Sequence, residues 1–181
     1  RVTEGIAKEF YRRVAESMKS HFFEMKKLKG ILIGGPIPTK EEFIEDGQLV
    51  TKLKEKIIAV KDIGYADEHG LELLVEACQE ELSMQEITKE KKLLQNFFEK
   101  LGKNPDKARY KYLDVKHALE LGAVDTLILS KKLKKPLIEE LTKLAESMGT
   151  KIEFVSDETD EGIQFFNISG IGALLRFAVN V

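Results

Sequence analysis

The sequence predicts an α/β protein made of two small layered domains, and three observations carry that expectation. Ala118 to Ser130 joins the end of an amphipathic helix to a strand that is apolar on both faces. Short apolar strands alternate with amphipathic helices along the rest of the chain. The length of 181 residues suits one or two domains at roughly 100 to 200 residues each.

Around the first of these, Val115, Ala118, Leu119 and Leu121 form a helical stripe, and Gly122 stands where a left-handed C-terminal cap is needed. Val124 to Leu129 is apolar and partly β-branched. A strand of this kind lies inside a sheet covered by helices on both sides. The second half of the chain therefore reads as layers stacked on this strand.

Composition sets outer bounds. Apolar residues make up 43% and charged residues 33%, as in a folded domain and unlike a disordered one. No segment approaches the roughly 18 to 20 uninterrupted apolar residues of a membrane span, and no signal-peptide pattern is present, so the protein is read as cytoplasmic. The single cysteine, Cys78, excludes an internal disulfide and a cysteine-rich zinc site. With 29 basic and 31 acidic side chains the net charge is -2, so any RNA contact has to come from a local patch.

Taken in order, Val2, Ile6, Phe10, Val14, Met18, Phe22 and Met25 recur at helical spacing and predict one long amphipathic helix. Arg1 opens directly into that pattern without a methionine or capping residue, and the sequence is read as a piece cut from a longer chain. Lys8, Arg12, Arg13 and Lys19 lie on the polar face. They suit a solvated surface with Glu4–Lys8, Glu9–Arg13 and Glu16–Lys19 pairs, or contact with a phosphate backbone.

Gly30 to Pro36 reads as a strand running into a turn. Its Gly-Gly-Pro lacks the Lys-Ser or Lys-Thr of a phosphate loop. Thr39 with Glu42 predicts a capping box. Lys56 to Val60 reads as a strand and Asp67-Glu68-His69-Gly70 as a turn. Leu71, Leu74, Val75, Cys78 and Leu82 then predict a helix that buries Cys78 as a core thiol. The polar stretch from Ser83 to Glu90 separates it from a new helix carrying Leu93, Leu94, Phe97, Phe98 and Leu101, which stops at Gly102 to Asp106. The domain boundary is placed near Ile87, giving domains 1–86 and 87–181.

Beyond the central strand, a helix from Pro136 to Met148, a strand from Lys151 to Val155 and a closing strand after Gly170 complete an α/β/α layer. Asp157 to Glu161 is acidic but lacks metal-ligand spacing, and it suits a helix N-terminus. His21 and His69 have no spaced ligand partner. There is no Ser-His-Asp arrangement and no dinucleotide fingerprint, so neither a catalytic residue nor a cofactor is expected.

The ordered set Asp62-Ile63-Gly64-Tyr65, Glu68-His69-Gly70, Glu90 to Leu94 with Phe97-Phe98, Ala118 to Leu127, Gly162 to Phe165 and Gly170 to Phe177 resembles the middle and C-terminal domains of archaeal and eukaryotic class I peptide chain release factors. The resemblance implies a second domain similar to the L7Ae/L30e fold. It implies translation termination as the activity of the full protein, which would read stop codons and promote peptidyl-tRNA hydrolysis. The family's Gly-Gly-Gln loop is absent from these residues, and the middle domain is expected to lack its catalytic loop. The implied partners are the ribosome with its rRNA and peptidyl-tRNA, a translational GTPase and the ribosome-recycling ATPase; nothing in the residues demands more than a monomer.

The candidate partner surface comprises Gly170, Ile171, Gly172, Leu174, Leu175, Arg176 and Phe177, a segment that equally suits a core strand after a glycine bend. Lys8, Arg12, Arg13 and Lys19 are the candidate RNA-facing residues. The absence of a minidomain between Lys132 and Pro136 favours a compact archaeal-type factor. The Asn-Glu pair of L7Ae-type proteins is missing from Tyr112 to Val115. A Pelota-type rescue factor and a stand-alone L7Ae-type RNA-binding module are the alternatives.

Overall fold

The structure, a computed structural model, describes residues 2–179; Arg1 and the side chain of Val2, which open the predicted helix, lie outside the described residues. The chain divides into two compact units, Arg1–Met84 and Gln85–Val181, and the division falls inside a helix.

The first unit opens with α1 (Val2–Phe22). Two parallel strands follow, β1 (Ile31–Gly35) and β2 (Ile57–Asp62), in register at Ile33 and Val60. Parallel neighbours need a crossover. Here α2 (Thr39–Glu45) and α3 (Thr51–Lys54) supply it, and α4 (Glu68–Ala77) follows β2. Tyr11, Ala15, Ile31, Phe43, Leu49 and Leu53 form the main core, and Ala59, Leu74 and Cys78 a smaller one.

The buried face of α1 is turned from the predicted stripe. Tyr11 and Ala15 are buried, whereas Ile6 and Phe10 are 66% and 53% exposed. The Tyr11 hydroxyl donates to Glu42 Oε2 at 2.7 Å, so the ring packs while its polar tip is satisfied. The capping box does not form. Thr39 is already helical, and the Lys40 and Glu42 amides donate to the Pro36 and Pro38 carbonyls. Glu68 to Gly70 are the first turn of α4 rather than a free turn. The Asp67 carboxylate caps that turn by accepting from the Gly70 amide at 2.9 Å.

The predicted linker from Ser83 to Glu90 is instead helical. α5 runs unbroken over Gln79–Lys103, and the break from α4 comes at Cys78. Polarity does not end a helix; Gly, Pro or a competing side-chain bond does, and the segment contains no Gly or Pro.

In the second unit a four-stranded sheet has the order β3-β6-β4-β5, with β3 (Ala108–Arg109), β4 (Val124–Ser130), β5 (Lys151–Val155) and β6 (Ile171–Leu175). β4 lies between β6 and β5, parallel to β5 and antiparallel to β6. The apolar run thus occupies the sheet interior that its composition requires. Pleating sends Leu127 and Leu129 to one face, where they meet Val115, Ala118 and Leu119 of α6 (Tyr112–Glu120) and Leu141 and Ala145 of α7 (Lys135–Ser147). Ile128 faces the opposite layer, with Leu94 and Phe97 of α5 and Phe165 of α8 (Asp160–Ile168). Gly122 has φ +67°, the left-handed cap expected of it.

Between α6 and α7, Glu140 accepts from the Tyr112 hydroxyl at 2.5 Å and pairs with Lys116 at 3.1 Å. Those contacts hold the Glu140 carboxyl below its ordinary value of 4.5, the Tyr112 bond first and the Lys116 charge second. A lowered native pKa contributes stability that is present above the unfolded value and is lost as pH falls through the native one. Acidification from about pH 7 to about pH 3 is therefore expected to lower the melting temperature of the parent more than that of Glu140→Gln. The difference shrinks in high salt, because the groups are exposed. Equal losses in the two proteins would refute the contribution.

Candidate functional site

Of the four basic residues on α1, the structure separates one from the rest. Arg12 donates to Glu9 and to Glu16, at 2.6 and 2.7 Å, in place of the predicted Glu9–Arg13 and Glu16–Lys19 pairs. Two carboxylates on one guanidinium raise its pKa and lower that of Glu9, and they cancel its field toward an outside anion. Lys8, Arg13 and Lys19 are exposed on the same helix, with the Lys19 ammonium 5.9 Å from the Phe23 ring centroid. Three exposed cations remain, Lys8 and Lys19 on one side of the helix and Arg13 well round from both.

Strands β1 and β2 end together at Gly35 and Asp62, where a phosphate loop would lie. Buried Lys40 fills this place, its ammonium paired with Asp62 and with Glu41 at 2.7 Å. Burial opposes the charge on Lys40, but the two carboxylates outweigh it and hold its pKa above the ordinary lysine value. Its ammonium is committed to the fold. Sequence reading passed over Lys40, which sits in an otherwise polar helix start.

Cys78 is fully buried, and burial, with Glu81 second, pushes its thiol pKa up. It is a core thiol and a poor nucleophile. Nearby, Lys61 and Glu81 form an ion pair at 2.5 Å that lowers the Glu81 pKa.

In the second unit, the segment from Gly170 to Phe177 splits in two. Gly170 has φ +73° and turns the chain into β6. Ile171, Gly172, Leu174 and Leu175 are buried within that interior strand. A Cβ on Gly172 would lie 2.9 Å from the rings of both Phe97 and Phe165, so this glycine makes room for α5 and α8. Of this segment, Arg176 and Phe177 alone are exposed. Phe177 is 50% exposed, and exposed Arg176 donates to the Gly149 carbonyl at 3.2 Å.

The acidic run 157–161 performs capping. Thr159 Oγ1 accepts from the Gly162 amide at 3.0 Å at the start of α8, and Asp157 pairs with Lys132 at 3.3 Å. Glu90 on α5 holds the preceding turn. It accepts from the Ser156 amide at 2.5 Å, the Ser156 hydroxyl at 3.1 Å and the Thr159 hydroxyl at 3.0 Å. These partners are 66 to 69 positions away, beyond any local sequence signal.

Of the residues singled out in the sequence, the exposed ones are therefore Lys8, Arg12, Arg13 and Lys19 on α1 in the first unit and Arg176 and Phe177 after β6 in the second. The sequence pattern described as eRF1 domain 2 matches residues 1–84, and that described as eRF1 domain 3 matches residues 87–179. Peptide chain release factor subunit 1 of Thermococcus onnurineus is 38% identical over 229 aligned positions, covering 99% of this chain and 55% of that protein. The Archaeoglobus fulgidus protein of the same name is 36% identical, covering 98% and 54%. The alignments exceed the 181 residues of this chain, so these relatives carry residues with no counterpart in it.

Among solved structures, the C-terminal domain of a peptide chain release factor from Methanosarcina mazei has a TM-score of 0.56 at 28% identity. It covers 65% of this chain and 100% of that one. A ribosome-bound archaeal Pelota with ABCE1 has a TM-score of 0.70 at 23% identity, over 95% and 50%, which shows likeness of fold alone. The chain spans about half the length of the curated relatives it matches. With both domain patterns matched in order along its length, this chain belongs to the eRF1 family of peptide chain release factors.

Proposed function

We propose that the full protein to which this chain belongs is an archaeal-type translation termination factor that recognises stop codons and promotes peptidyl-tRNA hydrolysis on the ribosome. The observation that carries the reading is the ordered match of both release-factor domains over nearly the whole chain. In this reading residues 1–86 are the middle domain without its Gly-Gly-Gln loop, and residues 87–181 are the C-terminal domain. The chain is then scaffold and docking surface and not itself an enzyme. It works as a monomer in the cytoplasm.

Lys8, Arg13 and Lys19 face ribosomal RNA, a role supported by their exposure and by the charge of a phosphate backbone. Arg12, neutralised by Glu9 and Glu16, contributes mainly to the rigidity of the helix. The exposed residues that follow the last strand, Arg176 and Phe177, dock a translational GTPase, and the same domain receives the ribosome-recycling ATPase. Aromatic and arginine side chains are the types enriched in such contacts.

Peptide release from ribosomes halted at a stop codon tests this. The full-length protein is expected to release peptide at stop codons and not at sense codons, while this chain alone releases none. A full-length protein that splits stalled ribosomes without stop-codon-dependent release would instead be a rescue factor of the Pelota type. In a pull-down with the GTPase, Arg176→Glu is expected to weaken capture with circular dichroism unchanged. Unchanged capture removes Arg176 from the docking surface.

A further inference from the structure

Helix α4 carries more apolar side chains than the core beneath it takes up. Gly70, Leu74 and Cys78, four residues apart, form the buried stripe. Leu71 and Val75 lie one position further round and are 64% and 47% exposed, and Tyr65 beside the helix start is 60% exposed. Two adjoining depressions of about 410 and 490 Å³ meet at Leu71, one toward Ile63 and Tyr65 and the other along Val75 to Gln79.

The rim of this groove has one sign. Asp67, Glu68, Glu72 and Glu76 line it, and no lysine or arginine does among the described residues. His69 Nδ1 lies 4.0 Å from Glu72. The closest lysine in the chain order, Lys61, is already paired with Glu81. An apolar floor with an acidic border repels nucleic acid and anionic membrane. Two copies meeting through it would also place like charges together. What it complements is a helix with leucine-like anchors three and four residues apart, flanked by lysine and arginine.

We propose that the groove formed by Tyr65, Leu71 and Val75 within the Glu68, Glu72 and Glu76 border is a docking site for a basic amphipathic helix of a partner protein. The face includes none of the cations of α1. Its chemistry does not depend on the termination reading.

Fluorescence anisotropy of a labelled synthetic Leu/Lys amphipathic helical peptide, titrated with this chain, measures the interaction, and amide chemical-shift mapping locates it. Saturable binding that weakens with salt is expected, with shifts centred on residues 65–79. Both Leu71→Ser/Val75→Ser and Glu72→Lys/Glu76→Lys are expected to weaken it at least about tenfold. The substituted side chains are exposed, so the fold persists, and circular dichroism checks this. Absence of saturable binding overturns the proposal, as does loss in the charge variant with none in the apolar one, which would mark a diffuse electrostatic contact. Shifts at the same residues on adding a uridine oligonucleotide, or on raising the chain concentration alone, would assign the face to RNA or to a second copy and would equally overturn it.

Discussion

Phe97→Ala is expected to destabilise the second unit by about 3–5 kcal/mol, the cost of removing a fully buried phenylalanine and leaving a cavity. The Phe97 ring meets Phe165 edge-on, with centroids 5.5 Å apart and planes at 86°. It fills the space that Gly172 leaves open beneath it. Chemical denaturation, with hydrogen exchange at β4 and β6 as a local readout, measures the loss. The two strands should lose protection together, because both lie under the same ring pair. A cost below about 1 kcal/mol would show that neighbouring side chains collapse into the gap, contrary to the packing described.

In the first unit, Gly70→Ala is expected to cost about 3 kcal/mol, the upper end of ordinary overpacking. A Cβ there would lie 2.1 Å from the Tyr65 carbonyl oxygen and 2.7 Å from its carbon. A flexible side chain could swing aside; a backbone carbonyl moves only with its segment. Displacing it also pulls the first turn of α4 from its Asp67 cap, worth about 1 kcal/mol. Gly64→Ala is the control, since its Cβ would meet nothing within 4 Å. Thermal denaturation of the two variants should show a clear drop for Gly70→Ala and little for Gly64→Ala. Equal stability of all three proteins would refute the close approach.

Both positions belong to the ordered segments that suggested the family, and in each a physical requirement explains the residue. Gly70 allows the chain to pass close to Tyr65, and Gly172 admits two phenylalanine rings. In the sequence, the last segment suits a partner surface and, equally, a core strand after a glycine bend. Packing reassigns most of that segment to the sheet interior, and the two residues left outside are the arginine and the aromatic one.

Local pattern was a sound guide where one physical rule acted alone. The Gly122 cap, the strand after it and the buried face of Cys78 each follow from a short stretch whose period or conformation has one reading. It misled where two rules competed. Ser83 to Glu90 looked like a linker because it is polar, yet its residues form helix well, and helical bonding continued through it. Thr39 and Glu42 had capping-box spacing, but the Pro36 and Pro38 carbonyls took the first amides. The apolar stripe of α1 was right in kind and wrong by a rotation, since Tyr11 and Ala15 reach the core and Ile6 and Phe10 do not.

By itself the sequence determined the α/β class, the layered second half and the family, because periodicity, glycine caps and the order of segments are properties of neighbours along the chain. Only the tertiary structure decided which charges are available. Arg12 is neutralised by two glutamates, Lys40 is drawn into the fold by Asp62, and Glu90 is committed to Ser156 and Thr159. Electrostatic fields depend on distances through space. A sequence states how many charges there are, and folding settles which of them face outward.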